Sequence, residues 1–117
     1  MTRLISAFLL PAFLMIAGCA SKPVLDDESA RRASSLNAQL GLAYMRQGNH
    51  QLAMTKLEKA LKQDEDNADA HHYLAELYRR LGKSAKAERH YREALSNQEG
   101  NSSLLNNYGV FLCDKGK

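Results

Sequence analysis

An all-α solenoid of helical hairpins is the fold predicted by this 117-residue sequence, and three observations predict it. First, the chain resembles itself when slid by 34 residues: Leu40 falls on Leu74, Tyr44 on Tyr78, Ala53 on Ala87, Ala60 on Ala94, Leu61 on Leu95 and Asn67 on Asn101. A second slide carries Leu74-Ala75 onto Tyr108-Gly109 and Gly82-Lys83 onto Gly116-Lys117. Second, apolar and small residues recur three or four apart within each period, as they do along one face of a helix. Third, Gly48 and Gly82 fall midway through each period, where a hairpin has to turn.

The elements follow in chain order. Residues 1–18, MTRLISAFLLPAFLMIAG, combine a basic start at Arg3 with an uncharged apolar run from Leu4 to Ala17. That run is too short for a spanning helix, which needs about 20 residues, and has the length and flanks of a secretory leader. Ile16-Ala17-Gly18-Cys19 resembles the lipobox at which bacterial lipoprotein leaders are cut. The resemblance implies that Cys19 becomes the lipidated first residue of the mature chain. Each buried methylene contributes about 0.8 kcal/mol, so the several acyl chains of such a cysteine hold it durably in a bilayer. Ala20, in place of aspartate, resembles the sorting signal of outer-membrane lipoproteins, so the expected location is the outer membrane, lipid-anchored and facing the periplasm.

Residues 19–33 contain Pro23, the acidic run Asp26-Asp27-Glu28 and Arg31-Arg32 without a sustained helical stripe, and read as a flexible tether. The repeat domain is expected over residues 34–117, with repeats at about 34–67 and 68–101 and a partial one at 102–117. Its helices are predicted near 34–47, 50–63, 68–81 and 84–97, with a fifth from about 102. Gly41 and Ala75 are small where the two helices of a hairpin cross, and Ala53, Ala60, Ala87 and Ala94 form the facing surface. Leu57 and Tyr91, with Leu61 and Leu95 one turn on, make the apolar stripe toward the next repeat. Asn67 and Asn101 stand where a first helix begins and are predicted N-caps.

This period and its residue types resemble the tetratricopeptide repeat over residues 34–117. Glu65 and Glu99 replace the proline usual in that family. The resemblance implies a concave surface, built by the first helix of each repeat, that binds a peptide or protein segment. Its expected residues are Ala38, Leu42, Met45 and Arg46, then His72, Glu76, Arg79 and Arg80, then Asn106, Val110 and Cys113.

A closer resemblance rests on the lipobox, the short tether and the stretches YMRQGNHQLAMTKLEKAL, ADAHHYLAELYRRLG and NNYGVFLCDKGK, of which Asn106 to Cys113 is the most distinctive. Together they resemble the type IV pilus biogenesis lipoproteins called pilotins, the PilF/PilW family. The match implies an outer-membrane scaffold that binds the pilus secretin and promotes its outer-membrane localisation or assembly. It covers the N-terminal portion of such proteins, so a longer protein with further repeats is expected. An alternative keeps the fold and location and makes the chain a docking lipoprotein for peptidoglycan-remodelling enzymes. Cys113 then has two readings: half of a disulfide whose partner is missing from this sequence, or a small buried apolar residue.

Other function classes find little support. The formal charge of +3 includes Arg3 of the leader, and no basic cluster interleaved with aromatics points to nucleic acid. His71 and His72 are adjacent and so diverge by about 100° on a helix, unlike a helical metal pair. Phosphate-binding loops and nucleophile elbows are absent from the sequence, so a non-enzymatic protein without cofactor, metal or small-molecule substrate is expected.

Overall fold

A computed structural model describes residues 26–116, and its five helices follow the 34-residue period. They are α1 (Asp27–Arg46), α2 (His50–Gln63), α3 (Ala68–Arg80), α4 (Ser84–Asn97) and α5 (Ser102–Lys115). The chain is an all-α tetratricopeptide solenoid: α1 pairs with α2, α3 with α4, and α5 stacks on α3 and α4. The leader, the lipobox and Cys19 lie outside the described residues.

Helix α1 begins at Asp27, so the second half of the stretch read as tether is helical. The cause is local. The Asp26 side chain accepts from the Ser29 backbone N–H at 3.1 Å, and Asp27 and Glu28 occupy the first turn, where the helix dipole favours acidic groups. Arg32 then pairs with Glu28 one turn along. Residues 19–25 of the predicted tether lie outside the described residues.

The predicted N-caps are in place. Asn67 accepts from the Ala70 N–H at 2.9 Å and Asn101 from the Leu104 N–H at 3.0 Å. The two hairpin turns are built alike. Gly48 and Gly82 adopt φ of 75° and 72°, which only glycine takes without strain. Around the first, the Gly48 N–H donates to Met45 O and the Asn49 N–H to Tyr44 O; around the second, Gly82 donates to Arg79 O and Lys83 to Tyr78 O. Both are Schellman motifs, which satisfy the last carbonyls of α1 and α3.

Small residues set the spacing of the hairpins. A Cβ placed on Gly41 would lie 2.5 Å from Leu57 Cγ and Cδ2, so α1 and α2 approach as closely as they do only because none is there. Ala53, Ala60, Ala75, Ala87 and Ala94 are fully buried in the same seams. Leu57 and Tyr91, equivalent in the two repeats, are buried at the centre. Where α4 meets α5, the Tyr91 ring lies 5.1 Å from Tyr108 and 5.2 Å from Phe111 between centroids, an aromatic cluster that seats α5.

One polar junction crosses the core. The buried Ser34 hydroxyl donates to Ala60 O at 2.7 Å and accepts from the Asn67 side-chain amide at 2.8 Å, joining α1, the end of α2 and the start of α3. Beside it the Asn37 amide donates to Gln63 Oε1 at 2.8 Å.

Candidate functional site: a groove across the first helices

The first helices of successive repeats lie side by side, and the concave surface between α1, α3 and α5 is a groove. Leu42, Met45 and Arg46 of α1 form one wall; Asp69, His72, Tyr73, Glu76 and Arg80 of α3 form the floor; Asn101, Ser103 and Asn107 close the far side. Six of the residues expected from the sequence are therefore brought together: Leu42, Met45, Arg46, His72, Glu76 and Arg80. Ala38 is buried beneath the surface.

Others stand elsewhere. Arg79 points to a separate depression shared with Ser84, Phe111 and Lys115, and Asn106 and Val110 are exposed outside the groove. The reason is a drift in register. A strict 34-residue offset would set His72 against Asn106, whereas the Asn107 amide donates to His72 Nε2 at 2.9 Å. Between α3 and α5 the facing residues are thus shifted by one position from a strict repeat. Cys113 is exposed and does not line the groove.

Electrostatics divide the groove into used and unused charges. Glu76 sits at the centre with its side chain 12% exposed, and both carboxylate oxygens are engaged: one accepts from the Tyr91 hydroxyl, the other from Arg79 at 3.0 Å. Burial, and then the neighbouring Glu76, push the Tyr91 phenol well above its ordinary range, so it remains a donor. The Arg79 guanidinium is held more firmly protonated by its bond to Glu76. The pair Glu76 and Tyr91 replaces Leu42 and Leu57 of the first repeat. A hydroxyl introduced into the second core is matched by a carboxylate introduced at the groove floor, as a buried polar group demands.

His72 is kept neutral. Burial lowers its pKa, against the opposing pull of Glu76 and Asp69, and the Asn107 amide donating to Nε2 places the ring proton on Nδ1. Tyr73, a floor residue missed from the sequence as were Asp69, Asn101, Ser103 and Asn107, has its phenol pKa raised first by burial and then by Asp69, with Arg46 acting in the opposite sense. Arg46 and Arg80 are exposed at the rim. The groove therefore offers two guanidinium groups, a phenol, amides and the Leu42 and Met45 side chains, a set suited to hydrogen bonding and packing against a peptide segment.

A second histidine cluster lies behind the groove. His71 Nε2 donates to Glu65 O at 2.9 Å, since a carbonyl only accepts; its Nδ1 is then the acceptor for the His90 Nδ1–H, also at 2.9 Å. Tyr78 stacks on His90 with ring centroids 5.5 Å apart. Among the described residues, no group of three or more His, Cys, Asp or Glu side chains is placed to hold a metal ion. No described helix is long and apolar enough to cross a membrane.

Comparison with known proteins bears on both repeats and groove. Two tetratricopeptide-repeat family models match, one over residues 41–82 and the other over 68–101. The chain is 36% identical over 104 residues to the type IV pilus assembly protein PilF of Pseudomonas aeruginosa, a match covering 86% of this chain and 41% of that protein. It is 31% identical over 116 residues to an uncharacterized protein of Haemophilus influenzae, covering 99% of this chain and 63% of the other. The solved structure of P. aeruginosa PilF superposes with a TM-score of 0.71 at 38% identity, over 74% of this chain and 39% of that one. PilW, described as a widely conserved type IV pilus biogenesis factor, superposes with a TM-score of 0.66 at 38% identity, over 70% of this chain and 37% of its own. The chain thus spans well under half the length of both pilus proteins. Its repeats, its helices and these relatives make it a tetratricopeptide-repeat protein homologous to the type IV pilus biogenesis factors PilF and PilW.

Proposed function

We propose that the chain acts in type IV pilus biogenesis as a lipid-anchored, non-catalytic scaffold of the outer membrane. In this reading the groove between α1, α3 and α5 binds a segment of the pilus secretin and promotes its localisation or assembly there. The observation that carries the reading is the 36% identity to a type IV pilus assembly protein over a stretch that includes the groove. The lipobox at Ile16 to Cys19 supports the anchor, and the amide, phenol and guanidinium groups of the groove support a peptide ligand.

The test combines location with phenotype in the native cell. Cys19→Ser is expected to shift the protein out of the outer-membrane fraction; continued outer-membrane fractionation would contradict the anchor. Deletion is expected to abolish surface pili and twitching and to reduce assembled secretin. Arg46→Glu with Arg80→Glu should reproduce that loss while the protein remains folded. Altered cell shape with intact pili would instead favour docking of peptidoglycan-remodelling enzymes.

A further inference from the structure

The two repeats provide an internal comparison of what each face of a first helix is built to meet. In α3, Ala70 and Leu74 are 0% and 1% exposed and Tyr78 is buried as well, because α2 lies on them. Ala60 and Leu61 of α2 pack in the cluster that holds Ala70, and Met54, Leu57 and Leu61 in the one that holds Leu74 and Tyr78. The equivalent positions of α1, one period earlier, are Leu36, Leu40 and Tyr44. Here Leu36 is 62% exposed, Leu40 is 45% exposed, and Tyr44 is half-buried.

Charge patterning points the same way. Residues 33–45 of α1 carry no formal charge, and the charged residues nearest the stripe, Arg32 and Arg46, stand at its two ends. An ordinary solvated face on a helix of this length carries interspersed charges. An uncharged centre of exposed leucines with arginines at its ends resembles a docking surface, whose core is depleted of charge and which is enriched in Arg.

We propose that this outer face of α1 is a docking seat for an amphipathic helix of a partner protein, separate from the groove and independent of what the groove binds. The helix the seat fits is of the α2 type: apolar residues at i, i+3 and i+7, as in Met54, Leu57 and Leu61, with a small residue like Ala60 at the crossing. α2 seated one period along shows that geometry in this molecule. A second copy is the poorer occupant, since a stable dimer buries about 800 Å² from each partner and the stripe offers two well-exposed leucines. A single reversibly bound helix asks for less.

The probe is a synthetic peptide of α2, residues 50–63, stapled between the exposed positions Gln51 and Thr55 to hold it helical. Fluorescence polarisation follows its binding to the full chain. The Leu36→Glu/Leu40→Glu double variant should bind at least tenfold more weakly with its thermal midpoint unchanged, as both side chains are solvent-exposed. Arg46→Glu/Arg80→Glu should bind the peptide like wild type, and a peptide carrying Leu61→Glu should not bind. Equal affinity for wild type and the double variant would overturn the proposal. So would absence of binding, as when a segment of the chain itself already fills the seat. Self-association in sedimentation that Leu40→Glu abolishes would assign the face to a second copy and overturn it too.

Discussion

Gly41 and Gly109 occupy the same position of the first and third repeats, yet alanine at each is expected to move stability in opposite directions. Replacing glycine by alanine within a helix gains about 1 kcal/mol from the lower entropy of the unfolded backbone. At Gly109 nothing lies within 4 Å of the added Cβ, so that gain stands alone. At Gly41 the same atom meets Leu57 Cγ and Cδ2 at 2.5 Å and Ala53 O at 3.4 Å. Carbon atoms in contact sit about 3.5–4.0 Å apart, so the seam must open by about 1 Å around Leu57, which is fully buried. Overpacking of this kind costs about 1–3 kcal/mol, which outweighs the propensity gain. Urea denaturation should therefore place Gly41→Ala below wild type by about 1 kcal/mol and Gly109→Ala above it by a similar amount. Leu57→Ala alone should cost about 2–5 kcal/mol, and adding Gly41→Ala to it should now be neutral or stabilising because the methyl enters the vacated space. Two single glycine variants that shift the midpoint in the same direction would refute the close crossing of α1 and α2.

Three further outcomes follow from particular contacts. Burial first, then His71, Arg89 and Lys86, hold the His90 pKa down from 6.5 to about 4. Between those values the unfolded chain binds a proton that the folded one does not, so stability is full above pH 6.5 and falls on acidification toward 4, by at most about 3 kcal/mol. Subtracting the pH profile of His90→Gln isolates this loss, and superimposable profiles would remove His90 as its source. Asn67→Ala should cost about 2 kcal/mol by thermal unfolding and Asn101→Ala about 1, because Asn67 both caps α3 and bonds Ser34 whereas Asn101 only caps α5. Lys115→Ala, which removes the exposed pair with Glu88, should change stability by less than about 1 kcal/mol, and a larger loss would show that this pair helps hold α5 in place.

The helices were legible because each depends on short-range chemistry that repeats: turn glycines at Gly48 and Gly82, caps at Asn67 and Asn101, and alanines where backbones touch. The start of α1 was missed although its signal was present, since Asp26 followed by Asp27 and Glu28 is a helix entry as well as an acidic run. Its apolar stripe begins later, and periodicity alone dates the helix from there. The groove was legible on α1 and α3, where Leu42, Arg46, Glu76 and Arg80 keep a strict offset. It was not legible on α5, because how α5 sits against α3 is set by packing that no single residue encodes, and that packing brings Asn107 rather than Asn106 to His72. Tyr73 was missed because its counterpart one period earlier, Gln39, does not line the groove, so the repeat offset carries no signal for it.

The hydroxyl of Ser34 has a bearing on how the molecule comes apart. Because it bonds both Ala60 and Asn67, the end of one hairpin and the entry of the next share a buried polar contact point in addition to the apolar seam between α2 and α3. Opening the first hairpin exposes that hydroxyl and also frees the amide that steadies the first turn of α3. Amide protons of α1 and α2 should accordingly exchange with solvent in the same opening event as those of Ala70 and His71, making the smallest cooperative unit a hairpin plus one turn.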